Sequence, residues 1–251
     1  MKPVLTIFFV FASIPFGVEF DGSNDYIDCG TADILQENQP LTISSWIYAE
    51  TQGEGGLGRI INRRDATSSA NGITFCYNVS GRFQFRVSGS TNLDRITGNN
   101  AVTTGEWHHV LVAWDGSTTA TNVHIYVDGI QPSYVISQNG SSLNDTQGQS
   151  TIIGDRHDHT RSWDGQISEL AIWRAVLTPT EIALLAKSRV KGIPLQIQPS
   201  NLKAYWPLDE FADGETASGA GSIKDLSGNG NHGTPSNGPL GRPEFVLSRP
   251  W

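Results

Sequence analysis

The sequence has few charged residues, few cysteines and no long apolar run, and each shortage argues against a class of protein. Charged residues make up 17% of the chain, and acidic ones predominate, giving a formal net charge of -8. Nucleic-acid binding requires a basic face, so this charge argues against a nucleic-acid partner. The two cysteines, Cys29 and Cys76, cannot form a CxxC motif or a thiolate zinc site. We expect either two buried thiols or one disulfide.

An apolar segment lies at the N-terminus, in residues Met1–Gly17 (MKPVLTIFFVFASIPFG). It is shorter than the ~20 residues that a transmembrane helix needs, so no membrane span is expected. A lysine followed by an apolar run is typical of a secretory signal. The alternative is an apolar arm that stays in the mature protein and binds a groove on its own domain or on a neighbouring subunit. The sequence leaves both interpretations open.

Glycine and tryptophan are abundant, with 27 and 7 residues. The clearest pattern lies between Glu106 and Gly129, where Trp107–Trp114 and Val123–Val127 alternate in side-chain character and each run ends in Asp-Gly. Period-2 alternation of β-branched and aromatic residues indicates strands, and Asp-Gly favours turns. Similar short runs recur along the chain, so we predict an all-β, antiparallel two-sheet sandwich. The segments Ser88–Thr104 and Gln138–Ser150 are predicted to be polar loops.

One segment predicts a helix. Thr178 offers an N-cap hydroxyl, Pro179 suits the first helical position, and Glu181 follows three residues after the cap. Ile182, Leu184 and Leu185 provide an apolar stripe. We therefore predict a short helix from about Pro179 to about Lys187.

The order of the motifs resembles the laminin-G-like, concanavalin-A-like jelly-roll family. The resemblance covers about Val18 to Leu185 and implies a jelly-roll sandwich. It rests on these motifs: Val18-Glu19-Phe20-Asp21-Gly22, Trp107-His108-His109-Val110, Asp115-Gly116, Ile125-Tyr126-Val127-Asp128-Gly129, Ile153-Gly154, Gly165-Gln166-Ile167 and Glu181-Ile182.

The sequence departs from the family in one respect. A segment similar to Tyr205–Glu210, followed by Asp225 and Ser227–Asn231, usually precedes the Phe20-Asp21-Gly22 strand in this family, but here it lies near the C-terminus. We expect residues 18–251 to form one sandwich that residues 202–234 complete in permuted order, with residues 1–17 outside it. A separate small domain, or the start of an uncompleted second repeat, is the alternative.

The resemblance also implies that calcium is common in the family, in a structural or glycan-bridging role. Calcium takes oxygen ligands from carboxylates, amides and backbone carbonyls. The candidate ligands are Asp209, Glu210 and Asp225 from the permuted segment, with Asn24 and Asp25 from the turn that it should approach. The alternative is that these residues cap turns and solubilise loops.

Four further residues are candidates for contacting a ligand. Trp163 and Tyr77 could each present a ring on which a sugar stacks, although a large sandwich also needs rings to fill its core. His157 and His159 lie in a loop-like stretch, DRHDHTRSWDG, and could form a polar binding edge. Solvated histidines without a ligand are the alternative there.

These observations predict a non-enzymatic, lectin-like attachment module that binds a glycan or another surface polymer, with Ca²⁺ as a candidate cofactor. We expect it to lie outside the cell, on a cell surface or on a virion surface. The alternative is a structural or decoration subunit of a viral particle or surface assembly, a homo-oligomer held through residues 1–17. A glycoside hydrolase is disfavoured, because no predicted strand carries two carboxylates on one face.

Overall fold

The computed structural model describes residues 17–64, 72–143, 146, 148–187 and 191–242. These residues form strands β1 to β17 and one α-helix. The seven-stranded sheet has the order β10 (Val123–Val127), β9 (Trp107–Trp114), β3 (Leu41–Ala49), β14 (Asp164–Trp173), β1 (Gly17–Asp21), β17 (Leu240–Arg242), with β15 (Leu202–Trp206) also paired to β14.

The eight-stranded sheet has the order β11 (Tyr134–Gln138), β8 (Leu93–Thr97), β6 (Arg82–Val87), β5 (Gly72–Asn78), β4 (Leu57–Arg64), β13 (Thr151–Ile153), β2 (Tyr26–Asp28), β16 (Thr234–Ser236). Strands β7 (Gly89–Thr91) and β12 (Ser141–Leu143) form a two-stranded ribbon. All pairs of neighbouring strands are antiparallel, so the predicted all-β sandwich is confirmed. Cys29 and Cys76 are both buried free thiols.

The main core lies between the two large sheets. Strand β6 illustrates why it forms, since Phe83, Phe85 and Val87 are fully buried while Arg82 and Arg86 remain partly exposed. Trp114 and Trp206 are also fully buried and fill the space between the layers. Alternation along each strand therefore sends one set of side chains into a shared apolar layer.

Part of the outer face of the seven-stranded sheet is also buried, because the predicted helix packs there. Helix α1 spans Pro179–Lys187, as the capping pattern predicts. The Thr178 backbone N–H donates to Glu181 Oε2 at 2.7 Å, and the Glu181 N–H donates back to Thr178 Oγ1 at 3.4 Å. Ile182 and Leu185 pack in a second apolar cluster with residues of the sheet, among them Leu111, Trp173 and Tyr205. Within the described part of the chain, no helix is long and apolar enough to cross a membrane.

The C-terminal region contributes strands to both large sheets. Strand β15 pairs with β14, β16 pairs with β2, and β17 pairs with β1. Strands β1 and β15 share one side of β14, β1 along Asp164–Ile167 and β15 along Leu170–Trp173. The proposal that residues 202–234 complete the sandwich in permuted order, and the division at residue 17, stay predictions.

The two predicted polar loops both contain strands. Residues 88–104 include β7 and β8, and residues 138–150 include β12. Strand β8 was missed because its two buried apolar residues, Leu93 and Ile96, are three positions apart and separated by Asp94 and Arg95. Asp94 is 5% exposed and forms a bidentate ion pair with Arg86 on the neighbouring strand. A pattern based on hydrophobicity predicts that a carboxylate is exposed, so it could not identify Asp94 as a buried position of a strand.

Glu169 lies at an irregularity in β14 between Ser168 and Ala171, and its backbone has a positive φ of 51°. Its side chain points into the layer beneath α1, where Oε2 accepts a hydrogen bond from the Tyr205 hydroxyl at 2.6 Å. Burial raises the pKa of Glu169 to about 7, against the effect of that hydrogen bond, which favours the carboxylate. The folded protein therefore binds a proton at Glu169 that the unfolded chain loses at lower pH.

We predict that Glu169 makes the protein less stable as pH rises. Its folded pKa lies above the unfolded value, so the stabilisation is complete below about pH 4.5 and is lost as pH rises through about 7. Glu169→Gln should remove this part of the pH dependence and exceed the parent in stability at pH 8, by on the order of 1–3 kcal/mol. Urea unfolding of both proteins between pH 4.5 and 8 measures the difference. A constant difference across that range would contradict the prediction.

A second prediction concerns Gly165, which has a φ of 123° in β14. A Cβ atom there would lie 2.0 Å from the carbonyl oxygen of Tyr48 on β3. Gly165→Ala should therefore lower the free energy of unfolding by about 3 kcal/mol or more, since it adds a clash to backbone strain. Gly228→Ala is the matched control, because Gly228 has a φ of 88° and open space around it. The control should cost about 1 kcal/mol, from backbone strain alone; equal losses would show that β3 and β14 can separate.

Candidate functional site

The candidate functional site is a groove on the outer face of the eight-stranded sheet, between β2 and β16. Its volume is about 340 Å³, and it is lined by Tyr26, Asp28, Gly30, His232, Thr234 and Ser236. Alternation explains the composition. Ile27 and Pro235 are buried, so their neighbours on β2 and β16 face outward. The antiparallel register then places Asp28 opposite Thr234 and Tyr26 opposite Ser236. We call this site the β2–β16 groove.

The loop after β13 places a second ring against Tyr26, next to the groove lining. His159 stacks on Tyr26, with 4.2 Å between ring centroids and an interplanar angle of 25°. Asp155 holds the loop, since its Oδ1 accepts the backbone N–H groups of Arg156 and Arg161 and its Oδ2 lies 3.3 Å from His159 Nδ1. His157 is partly exposed in the same loop and does not line the groove. The structure therefore brings predicted residue His159 to the site through Tyr26.

Asp225 organises the turn that carries His232 into the groove. Its Oδ1 accepts backbone N–H groups from Tyr205 and Ser227, and its Oδ2 accepts one from Asn231. The Asp225 N–H donates to His232 Nδ1 at 3.1 Å, which leaves the Nε2 proton of the neutral ring for the groove. Asp225 was predicted as a calcium ligand, and in this structure its carboxylate accepts three backbone N–H groups. An Asp in a Gly- and Asn-rich turn commonly bonds the backbone in this way, and its role as a calcium ligand stays a prediction.

The other predicted calcium ligands are held by separate interactions. Asp209 forms an ion pair with Lys191 at 2.5 Å. Glu210 Oε1 accepts the Lys224 backbone N–H at 2.8 Å, and burial raises the pKa of its carboxyl. Both lie after β15, on the chain that leaves the seven-stranded sheet.

Asp25 and Asn24 lie in the turn between β1 and β2. Asp25 is 3% exposed, and its Oδ2 accepts the Asp21 N–H at 3.0 Å. Burial, with the nearby carboxylates of Asp21 and Glu19, raises the pKa of Asp25 to about 6. The backbone carbonyl oxygen of Asn24 accepts a hydrogen bond from the Asn237 side-chain amide at 2.9 Å. Among the residues that the structure describes, no three His, Cys, Asp or Glu side chains are grouped to hold a metal ion. The structure therefore does not bring the four predicted carboxylates together at one site, and calcium binding stays a prediction.

The two predicted stacking rings belong to the core. Trp163 is fully buried and Tyr77 is 1% exposed, and their ring centroids lie 6.2 Å apart between the sheets. Neither ring offers a face to a ligand, so this prediction is wrong. Tyr77 points inward through the alternation of β5, and Trp163 is buried from the segment just before β14. The sequence alone gave no indication that either ring would lie in the core.

A serine and a histidine meet beneath α1, and their burial decides what they can do. Ser44 Oγ lies 2.8 Å from His109 Nε2, beside Glu169. However, Ser44 is 2% exposed and His109 1%, and the adjacent cavity of about 10 Å³ holds no more than one water molecule. Burial also lowers the pKa of His109 to about 4, so its ring is neutral. This arrangement links β3 to β9 beneath α1 and has no room for a substrate.

Sequence reasoning missed most of the groove. Tyr26, Asp28, His232, Thr234 and Ser236 lie more than 200 residues apart in two sets and meet only because β16 pairs with β2. The one available signal was the alternation around Ile27, which places Tyr26 and Asp28 on the face opposite the core. The predicted arm, residues 1–17, falls outside the described residues except for Gly17.

Comparison with known proteins is consistent with this fold. Residues 21–183 match a family model described as the concanavalin A-like lectin/glucanases superfamily. C-reactive protein 1.1 from Limulus polyphemus is 29% identical over 138 residues, which are 50% of this chain and 56% of that protein. The chain thus spans little more than half of that relative, and a far smaller share of longer relatives.

Two solved structures share the fold at low sequence identity. A protein from Bacteroides ovatus, described with reservation as carbohydrate-binding, has a TM-score of 0.59 and 19% identity, covering 93% of this chain and 62% of its own. Domain 4 of the extracellular arabinanase AbnA from Geobacillus stearothermophilus, in complex with arabinotriose, has a TM-score of 0.51 and 19% identity, covering 68% and 76%. These two likenesses concern the fold. Since the family model spans most of the chain, the protein belongs to the concanavalin A-like lectin/glucanases superfamily.

Proposed function

We propose that this chain is a non-enzymatic, lectin-like module that binds a glycan in the β2–β16 groove, outside the cell. The observation that carries the proposal is the groove itself, which combines an aromatic ring, a carboxylate and several hydroxyl groups on one exposed sheet face. Its volume of about 340 Å³ falls within the range of small-molecule sites.

The chemistry of the lining suits a sugar. Asp28 is held by the Gly30 N–H at 2.8 Å on Oδ1, and its carboxylate accepts hydrogen bonds from sugar hydroxyls. His232 donates through Nε2, because Nδ1 already accepts a hydrogen bond. Thr234 and Ser236 can donate or accept. The Tyr26 ring offers apolar surface to the C–H face of a sugar, while His159 fixes its orientation from the other side.

Two considerations favour binding over hydrolysis. Glycoside hydrolysis requires a pair of carboxyl groups flanking the scissile bond. Of the described residues that line the groove, Asp28 alone carries a carboxyl group. The arabinotriose complex of AbnA domain 4 supports the proposal by analogy of fold, since that domain holds an oligosaccharide.

Calcium dependence and assembly through residues 1–17 stay predictions. Calcium dependence is tested by measuring glycan binding with EDTA and with added CaCl₂. A strict requirement for added calcium would support the prediction. The viral or surface-assembly alternative concerns an arm that the structure does not describe.

The groove predicts a selective effect of Tyr26. Tyr26→Ala should weaken glycan binding by about tenfold, equivalent to ~1.4 kcal/mol, because it removes the stacking surface and frees His159. Binding is measured by glycan array and then by titration calorimetry on the best ligand.

Tyr126→Ala is the matched control for this experiment. Tyr126 is also partly exposed, but it lies on β10 in the other sheet and donates no contact to the groove. It should bind like the parent, with both variants checked for cooperative thermal unfolding. Equal affinity of the parent and Tyr26→Ala would rule out the groove as the site.

A further inference from the structure

We propose that the outer face of the eight-stranded sheet holds a subsite for an anionic sugar unit, formed by Arg59, Asn78 and Arg82 and called here the arginine subsite. The inference rests on the proposed function and extends it, since it names the class of glycan. The unit would carry a carboxylate or a sulfate ester.

Strand register places the three residues together. Arg59 on β4 lies opposite Cys76 on β5, and Asn78 on β5 lies opposite Arg82 on β6. All face outward, because the intervening Tyr77 and Phe83 lie in the core. Asn78 thus lies between two arginines whose long side chains can reach over it.

The two arginines carry charge that nearby acids do not neutralise. Arg86, on the same face, is held by Asp94 through two hydrogen bonds of 2.9 and 2.8 Å. In the described part of the structure, Arg59 donates to the Leu57 backbone carbonyl at 3.2 Å, and Arg82 donates to the Asn99 side chain at 2.6 Å. Among the described residues, no carboxylate lies within ion-pair distance of Arg59 or Arg82. This is a local excess of positive charge on a chain of net charge -8.

Unpartnered atoms at the subsite point to a ligand. Arg59 is 6% exposed and Asn78 is 7% exposed, yet Arg59 Nε and Asn78 Oδ1 have no hydrogen-bond partner. Leaving a buried polar atom unpaired costs about 1–3 kcal/mol, so such atoms are expected to be paired in the working protein. Arg59 Nε needs an acceptor and Asn78 Oδ1 needs a donor. An acidic sugar supplies both, an anionic oxygen for the guanidinium and a hydroxyl for the amide oxygen.

The subsite lies within reach of the β2–β16 groove. Strand β4 is two strands from β2 in the sheet, a lateral distance of about 10 Å at the usual strand spacing. One glycan chain can therefore cross the face, with one unit against Tyr26 and Asp28 and a neighbouring anionic unit against Arg59 and Arg82.

The test compares matched neutral and charged polymers. Dextran is paired with dextran sulfate, and highly methyl-esterified pectin with polygalacturonate, in affinity electrophoresis and calorimetry of the full chain. The parent should bind the charged member of at least one pair about tenfold more tightly, and salt at about 0.5 M should largely remove that preference. A preference in the first pair identifies sulfate, and one in the second identifies carboxylate.

Arg82→Gln is the principal variant, because Arg82 is partly exposed and its loss leaves the core intact. It should reduce the preference for the charged polymer to about threefold or less while leaving neutral-polymer affinity unchanged. Arg59→Gln should act in the same direction. Arg174→Gln is the control, since Arg174 follows the other sheet and is partly exposed.

The outcomes separate this inference from the proposed function. If the parent binds neutral and charged polymers equally and Tyr26→Ala abolishes both, the arginine subsite is wrong and the groove stands. A charge preference that survives both arginine substitutions would also overturn it, and would indicate that water alone fills the unpaired positions. If no polymer binds, the proposed function and the subsite fall together.

Discussion

The pairing of β14 with its neighbours is the constraint on which the rest of the structure depends. This ten-residue strand pairs with β3 on one side, and on the other side its length is divided between β1 and β15. The first described strand and a strand of the C-terminal region therefore pair with the same side of β14. The irregularity at Glu169 falls between the two partners, where the backbone must change direction. Buried backbone N–H and C=O groups without hydrogen-bond partners raise the free energy of the folded state. Both β1 and β15 therefore have to pair with β14 for this side of the strand to be satisfied.

The candidate site follows from that closure. Once β15 is paired, Asp225 accepts the Tyr205 N–H and shapes the turn that ends at His232. The chain then returns as β16 beside β2, and the groove forms from residues that face away from the core. The site thus depends on the pairing of β16 with β2. Few of its residues belong to a local sequence motif by which they could have been recognised.

The sequence predicted local features well, but it did not predict which residues distant in sequence would come together. Alternation identified β9 and β10, and the cap at Thr178 with Glu181 fixed the bounds of α1, because these signals act within a few residues. Strand β8 was not predicted, because one of its buried positions is the carboxylate Asp94, which Arg86 on the neighbouring strand neutralises. For Trp163 and Tyr77 the sequence left sugar stacking and core packing open, and the structure places both rings in the core. Asp225 was predicted as a calcium ligand because an Asp that caps a turn and an Asp that binds calcium occur in similar Gly- and Asn-rich sequences. Tyr26, His232 and Arg59 could be placed only after the strand order was known.

Strand β16 is the outermost strand of its sheet, three residues long, with Pro235 at its centre. Such an edge strand has few hydrogen bonds of its own and separates from the sheet more readily than a central one. A sugar held by both β2 and β16 would tie this edge down. Sugar binding and the docking of β16 on β2 are linked equilibria, and linkage is reciprocal. The free energy by which a bound sugar stabilises the docked strand therefore equals the free energy by which docking strengthens sugar binding. Evolution could therefore tune affinity through residues that never touch the ligand, by changing how firmly the last strands stay in place.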